Sequence, residues 1–182
     1  MIMMNLICSL IFLAATMHGI TSMKLSDFRW KRRLLVLAGS SDAANEKALR
    51  QITDSYRYKC DMSVRNMNVI LLGASESSVT VFNFDKIDGP TVKTSTMSQS
   101  DAAGVMSELY MSSDAKPWGV LVGYDGGKKQ QYSSDNVQTY LQGMFDTIDR
   151  MPMRRREMKE QERDGIGCVM SGMSVNSGAN RL

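Results

Sequence analysis

The chain contains few of the residues that carry most enzyme chemistry. It has one histidine, His18, and three cysteines in 182 residues. Histidine is a common general acid or base and a frequent metal ligand, but His18 lies in the apolar N-terminal stretch. The carboxylates are scattered singly, without the further ligands that a metal site requires. We therefore expect no catalytic residues, no metal and no cofactor, and a protein that is not an enzyme.

Charged side chains are absent from residues 1–22, which are mostly apolar and end in small residues. This pattern predicts a cleaved signal peptide over 1–22 and a secreted, extracellular protein with no stable membrane insertion after cleavage. The alternative is an uncleaved membrane anchor. No positively charged residue precedes the apolar stretch, whereas Lys24 and the basic residues of 29–33 follow it. Secretion fits poorly with a nucleic-acid partner, so we expect none.

Loss of the first segment leaves two cysteines, Cys60 and Cys168. Two cysteines in an oxidising compartment can form one disulfide. Cys168 lies in a Gly/Ser/Met-rich tail from which it could reach Cys60, pair with a second chain or stay free. The sequence leaves these three possibilities open.

Apolar and helical patterns alternate along the rest of the chain. Continuous, alternating or extended runs of strand length lie at 34–38, 69–72, 79–84, 116–124 and 128–132. Stripes of helical spacing begin near residues 41, 102 and 137, and the polar segment 88–100 reads as a connecting loop. Asp125-Gly126-Gly127 predicts a hairpin turn, because glycine accepts positive φ. We predict one α/β domain over 23–158, with a mixed central sheet and helices on both faces, and a polar flexible tail over 159–182.

The order of these elements resembles thioredoxin. A buried strand enters a capped helix, Pro117 precedes the next-to-last strand, and a Gly-rich hairpin leads to the last helix. The resemblance implies a cis Lys116–Pro117 bond. In thioredoxin, a Cys-X-X-Cys motif lies at the turn from this strand into the helix. Residues 38–44 form that turn here and include no cysteine, so Ser40 and Ser41 are predicted to cap the helix and not to act as nucleophiles. A secreted oxidoreductase using Cys60 or Cys168 is the alternative function.

Two basic blocks, 28–33 and 154–156, bracket the predicted domain. Guanidinium and ammonium groups bind sulfates and carboxylates. The predicted polyanion contacts are Arg29, Lys31, Arg32, Arg33, Arg154, Arg155 and Arg156. The competing interpretation of the second block is a solvated helix face on which Arg156 pairs with Glu160. Trp30 either stacks on a cation or covers the sheet edge.

Three segments carry a more specific resemblance: 28–36, 123–127 and 148–158. They look like a thioredoxin-like domain family of unknown function, found in extracellular coiled-coil-domain-containing adhesion proteins and at the C-terminus of sushi-repeat-containing proteins. The resemblance implies a non-redox domain associated with extracellular matrix, cell adhesion and glycosaminoglycan binding. We therefore expect a secreted binding domain whose partner is an acidic glycosaminoglycan or a matrix protein, with the oligomeric state left open.

Overall fold

A computed structural model describes residues 23–39, 41–111, 118–134 and 136–168. The strands in these ranges are β1 (Arg33–Ala38), β2 (Met67–Leu71), β3 (Ser77–Asp85), β4 (Gly89–Met97), β5 (Trp118–Val122) and β6 (Lys128–Tyr132). The helices are α1 (Leu25–Phe28), α2 (Asp42–Thr53), α3 (Tyr56–Val64), α4 (Gln99–Glu108), α5 (Gln138–Asp149) and α6 (Pro152–Arg163). The signal-peptide prediction and the Lys116–Pro117 bond lie outside these residues.

The strands form one six-stranded sheet in the order β4-β3-β2-β1-β5-β6. Strand β1 lies in the middle, parallel to β2 and antiparallel to β5. Val36 is level with Ile70 on one side and with Val120 on the other. The remaining strand pairs are antiparallel. The sheet is therefore mixed, as predicted, and the arrangement is consistent with a thioredoxin-like α/β fold.

Side chains of β1 supply both halves of the core because successive residues of a strand point to opposite faces. Leu35 and Leu37 pack with helices α2, α3 and α5 on one face. Leu34 and Val36 pack with α1 and α4 on the other. A strand buried on both faces needs a continuous apolar run, which is the pattern that made β1 predictable. Helices on both faces confirm the predicted fold class.

Strand β4 was not predicted, and the expectation of a loop over 88–100 is wrong. Its residues 91–96 are exposed and it forms one edge of the sheet. An edge strand whose side chains reach no core needs no apolar alternation, so the pattern used for the other strands is missing. The β-branched residues Thr91, Val92 and Thr94, placed after an Asp88-Gly89 turn, are the signal that could have identified it.

Helix α6 extends past Met158, the predicted end of the domain. Pro152 occupies the first turn of helix α6, where its missing N–H costs nothing. Helix α6 continues to Arg163, and the chain then turns back so that Cys168 forms a disulfide with Cys60 of α3. Among the residues that the structure describes, no helix combines the length and apolar character that crossing a bilayer requires.

Candidate functional site

The three segments that carry the family resemblance meet at one end of the sheet. The start of β1, the turn after β5 and the start of α6 surround a cleft of about 380 Å³. We call it the Trp30 cleft, and its main lining residues are Trp30, Arg33, Tyr124, Met151, Pro152 and Met153. More than a hundred residues separate the first segment from the third in the sequence, so only the fold brings them together.

Trp30 forms one wall of this cleft, and its indole is 60% exposed. Its backbone has a φ of 63°, in the left-handed region that bulky residues rarely adopt. The Trp30 N–H donates to the Tyr124 carbonyl oxygen at 2.7 Å, which links the first block to the turn after β5. A strained backbone held by such a contact is a common feature of functional sites. Because Trp30 is 60% exposed, it does not bury its indole over the sheet edge.

Arg29 extends the same wall. Its guanidinium carbon lies 5.5 Å from the centre of the Trp30 ring, within the range of a cation–π contact. The aliphatic part of its side chain lies beside Gly126 in the turn between β5 and β6. Arg29 is exposed and forms no ion pair with any residue of the described ranges. Its positive charge is available at the rim of the cleft.

Arg33 forms the floor of the cleft and is only 1% exposed. It donates two hydrogen bonds of 3.0 Å to the Glu157 carboxylate and one of 2.8 Å to the Arg65 carbonyl oxygen. Its guanidinium carbon lies 4.0 Å from the centre of the Tyr124 ring. Burial raises the pKa of the Tyr124 hydroxyl, so this floor presents a neutral phenol beside a paired guanidinium.

Glu157 also forms an ion pair with Arg154, which is only 4% exposed. Arg154 donates to the Val64 carbonyl oxygen at 2.8 Å and to Asp149 at 3.2 Å. Asp149 in turn accepts from Arg65. Buried arginines and partly exposed carboxylates thus alternate in an ion network of Arg33, Glu157, Arg154, Asp149, Arg65 and Asp61. This network joins helix α6 to β1, to α5 and to the end of α3.

Three of the predicted polyanion contacts are committed to partners inside the protein. Arg33 and Arg154 are buried, and their guanidinium groups donate to Glu157 and to the Val64 carbonyl oxygen, so neither projects into solvent. Arg32 donates to the Phe82 carbonyl oxygen at 3.0 Å and to Asn83 at 2.6 Å, which commits its guanidinium to strand β3. The predicted contacts that stay exposed are Arg29, Lys31, Arg155 and Arg156.

Helix α6 separates its arginines by orientation. Arg154, Glu157 and Gln161 face inward, because residues three or four apart share one side of a helix. Met153 lines the Trp30 cleft, and Arg156 is one turn further along the same side. The predicted Arg156–Glu160 ion pair does not occur in the described part of the helix. Arg156 is therefore exposed, without an ion pair in the described ranges, one helical turn beyond a residue that lines the cleft.

The two cysteines lie away from the thioredoxin reactive position. Cys60 is fully buried in α3, and its Cα atom is 5.6 Å from that of Cys168. At the turn before α2, the Ser41 hydroxyl accepts a hydrogen bond from the Ala44 N–H, as a helix cap does. Ser40 lies outside the described residues. Across the ranges that the structure covers, no group of His, Cys, Asp or Glu side chains is arranged to hold a metal ion.

These features define a small mixed α/β domain with an aromatic and methionine-lined surface cleft over an internal ion network. The chain belongs to the family described as a domain of unknown function (DUF4174), whose model matches residues 24–157. It is 29% identical over 149 residues to coiled-coil domain-containing protein 80 of Danio rerio. The match covers 79% of this chain and 16% of that relative, so the chain spans a small part of the relative's length. No solved structure matches the chain.

Proposed function

We propose that this protein is a secreted, non-catalytic binding domain that contacts acidic components of the extracellular matrix, with sulfated glycosaminoglycans as the first class of partner. The main support is the position of the two basic blocks. Trp30 of the first block and Met153, next to the second, line one cleft. Arg29 lies against Trp30, and Arg156 follows Met153 by one helical turn, so we expect a chain of sulfates to contact both at once.

The buried arginines support this function indirectly. Arg32 and Arg33 hold the first block against β3 and Glu157, so the exposed side chains beside them, Arg29 and Lys31, project from a fixed backbone. Binding to a fixed set of charges costs less ordering entropy than binding to a mobile segment. The overall formal charge is only +3, so we expect attraction from this local surface and not from the molecule as a whole.

An extracellular location is supported by the disulfide between Cys60 and Cys168, because disulfides persist mainly in oxidising compartments. The same bond argues against the oxidoreductase alternative. A reactive thiol is partly exposed and has its pKa lowered, often by a helix N-terminus, whereas Cys60 is buried in the middle of α3. We propose that this disulfide is structural.

Heparin chromatography of the folded domain tests the proposal. Wild-type protein is expected to elute above physiological salt, and Arg29→Ala/Lys31→Ala is expected to elute earlier because two exposed contacts are lost. Lys47→Ala/Lys93→Ala is the matched control, since it removes the same charge from exposed positions on α2 and β4. Wild-type elution at or below physiological salt, or equal shifts of the two double variants, would contradict the proposal.

A further inference from the structure

We propose that the Trp30 cleft is a docking site for a protein segment that inserts one apolar side chain between Trp30 and Met153 and places carboxylates beside Arg29 and Arg156. This is a second recognition mode, which shares Arg29 and Arg156 with the polyanion binding proposed above. It concerns the apolar part of the surface, which sulfate contacts leave unused. The partner is defined by its chemistry as an acidic segment with an apolar anchor.

The lining of the cleft has the composition of a protein interface. Trp30 and Met153 are 60% and 46% exposed, and they contribute to one cleft although large hydrophobic side chains usually avoid solvent. Tryptophan, tyrosine, methionine and arginine are the residues enriched at the centres of protein interfaces. Methionine side chains also adapt their shape to different apolar partners. The cleft volume of about 380 Å³ is near the lower end of ligand pockets and suits one inserted side chain.

The charges around the cleft favour an acidic partner. Asp125 is neutralised by an ion pair of 2.5 Å with Lys129, and Glu157 is shared by two buried arginines. The exposed cations in or next to the lining segments that have no ion pair in the described ranges are Arg29, Lys31, Arg150, Arg155 and Arg156. Glu160, one turn beyond Arg156, is an exposed carboxylate without an ion pair there, and these cations outnumber it. Acidic residues flanking the anchor would therefore meet complementary charge.

A saccharide fits the centre of this cleft less well. Its hydroxyl groups would lie against Met151, Pro152 and Met153, whose side chains offer no strong hydrogen-bond partner. A polar group that loses water without gaining a partner costs free energy. An aliphatic or aromatic side chain loses nothing in the same position and removes apolar surface from water. The apolar centre thus favours a peptide anchor, while the rim remains available to sulfates.

Methionine-methyl NMR can test this site with defined peptides. The probe is the blocked pentapeptide Asp-Glu-Leu-Asp-Glu, and the comparison peptide has serine in place of leucine. The Met153 methyl signal, assigned with Met153→Leu, is expected to shift saturably with the leucine peptide. The serine peptide should bind at least about tenfold more weakly, because it lacks the apolar anchor.

Variants locate the binding. Trp30→Ala is expected to weaken binding of the leucine peptide by about tenfold, and Trp30→Phe, which keeps an aromatic wall, by less. The control is Met158→Ala, which changes an exposed methionine of α6 that does not line the cleft and should leave affinity unchanged. Circular dichroism and thermal unfolding confirm that each variant is folded. Trp30→Phe keeps the test decisive if Trp30→Ala fails to fold.

Three outcomes would overturn the docking proposal. They are equal binding of the serine peptide, no saturable Met153 shift at millimolar peptide, and unchanged affinity of both Trp30 variants. A fourth is a heparin tetrasaccharide that shifts the same Met153 methyl and whose binding is weakened by Trp30→Ala as much as that of the leucine peptide, which would assign the apolar centre of the cleft to saccharide. The heparin-column result is independent, because Trp30 and Met153 carry no charge and their replacement leaves the cations of Arg29 and Lys31 in place.

Discussion

Glu157 is the residue on which the two basic segments depend. Its carboxylate accepts from Arg33 and lies 3.5 Å from a nitrogen of Arg154, and both arginines are almost completely buried. Removing one partner of a buried pair is costly because the remaining charge has lost both its water and its counter-ion. Here the substitution would leave Arg33 without a counter-ion in the described ranges, while Arg154 would lose one of its two carboxylate partners and keep Asp149 at 3.2 Å.

Replacement of Glu157 by alanine is therefore expected to lower the free energy of unfolding by about 3–5 kcal/mol. Urea denaturation of the variant and the wild type measures this difference. Glu160→Ala removes an exposed carboxylate from the same helix and should change stability by less than about 0.5 kcal/mol. Similar small effects of both substitutions would show that the ion network contributes little to stability.

At this scale the sequence identified the charged positions but not their surroundings. Arg33 is buried, although its neighbour Arg32 is only partly buried. Arg154 is buried, although its neighbour Arg155 is exposed. Two clues were present. Arg33 directly precedes a continuous apolar strand, and Glu157 follows Arg154 by three residues, the spacing of neighbours on one helix face.

At the scale of elements, the disulfide fixes the segment that follows α6 to α3. Cys60 and Cys168 are separated by 108 residues, so the bond closes most of the domain into a loop. In the chain-entropy model, a loop of this length restricts the unfolded chain strongly. Helix α6 is also held by the ion network. The bond and the network thus act on the same C-terminal element.

The Cys60→Ala/Cys168→Ala variant is expected to lose about 3–5 kcal/mol of unfolding free energy. Chemical denaturation with and without reductant gives the comparison, and reductant should destabilise the wild type but not the variant. Non-reducing electrophoresis provides a separate check, because a bond within one chain leaves the protein monomeric in that gel. A reductant-sensitive dimer would contradict the intrachain pairing.

Element predictions from sequence succeeded where one face or both faces of an element meet the core. The buried run of β1 and the stripe of α5 are examples. Prediction failed at β4, whose side chains at 91–96 are in solvent. The sequence pattern also predicted a single helix after Ser41. The structure has two helices there, and the second, α3, begins after Ser55, whose hydroxyl caps it. Local caps and edge strands leave weak periodic signals.

At the scale of the whole molecule, a pair of tyrosines couples stability to alkaline pH. The rings of Tyr132 and Tyr140 stack with their centres 4.2 Å apart between β6 and α5. Burial raises the pKa of Tyr132 to about 12 and raises that of Tyr140 further. Both values lie above the pKa of about 10 for tyrosine in an unfolded chain. The unfolded state therefore loses these protons first as the pH increases.

The stabilisation by protonated Tyr132 is expected to be complete below pH 10 and to be lost as the pH rises through about 12. Denaturation curves at increasing pH, with tyrosinate absorbance recorded in parallel, measure the effect. Tyr132→Phe removes the titrating group and keeps the ring, so its stability should decline less steeply over this interval. Parallel pH dependence in the variant and the wild type would contradict the role of Tyr132.

The sequence by itself determined the α/β class, the central strands, the hairpin turn and the positions of the two basic blocks. These features follow from local patterns, because apolar periodicity and turn residues act over a few neighbours. Only the tertiary structure decided which arginines are internal, that Trp30 and Met153 share a cleft, and that Glu157 joins Arg33 to Arg154. Contacts between segments so far apart depend on how helices pack on the sheet, and no local pattern specifies that packing.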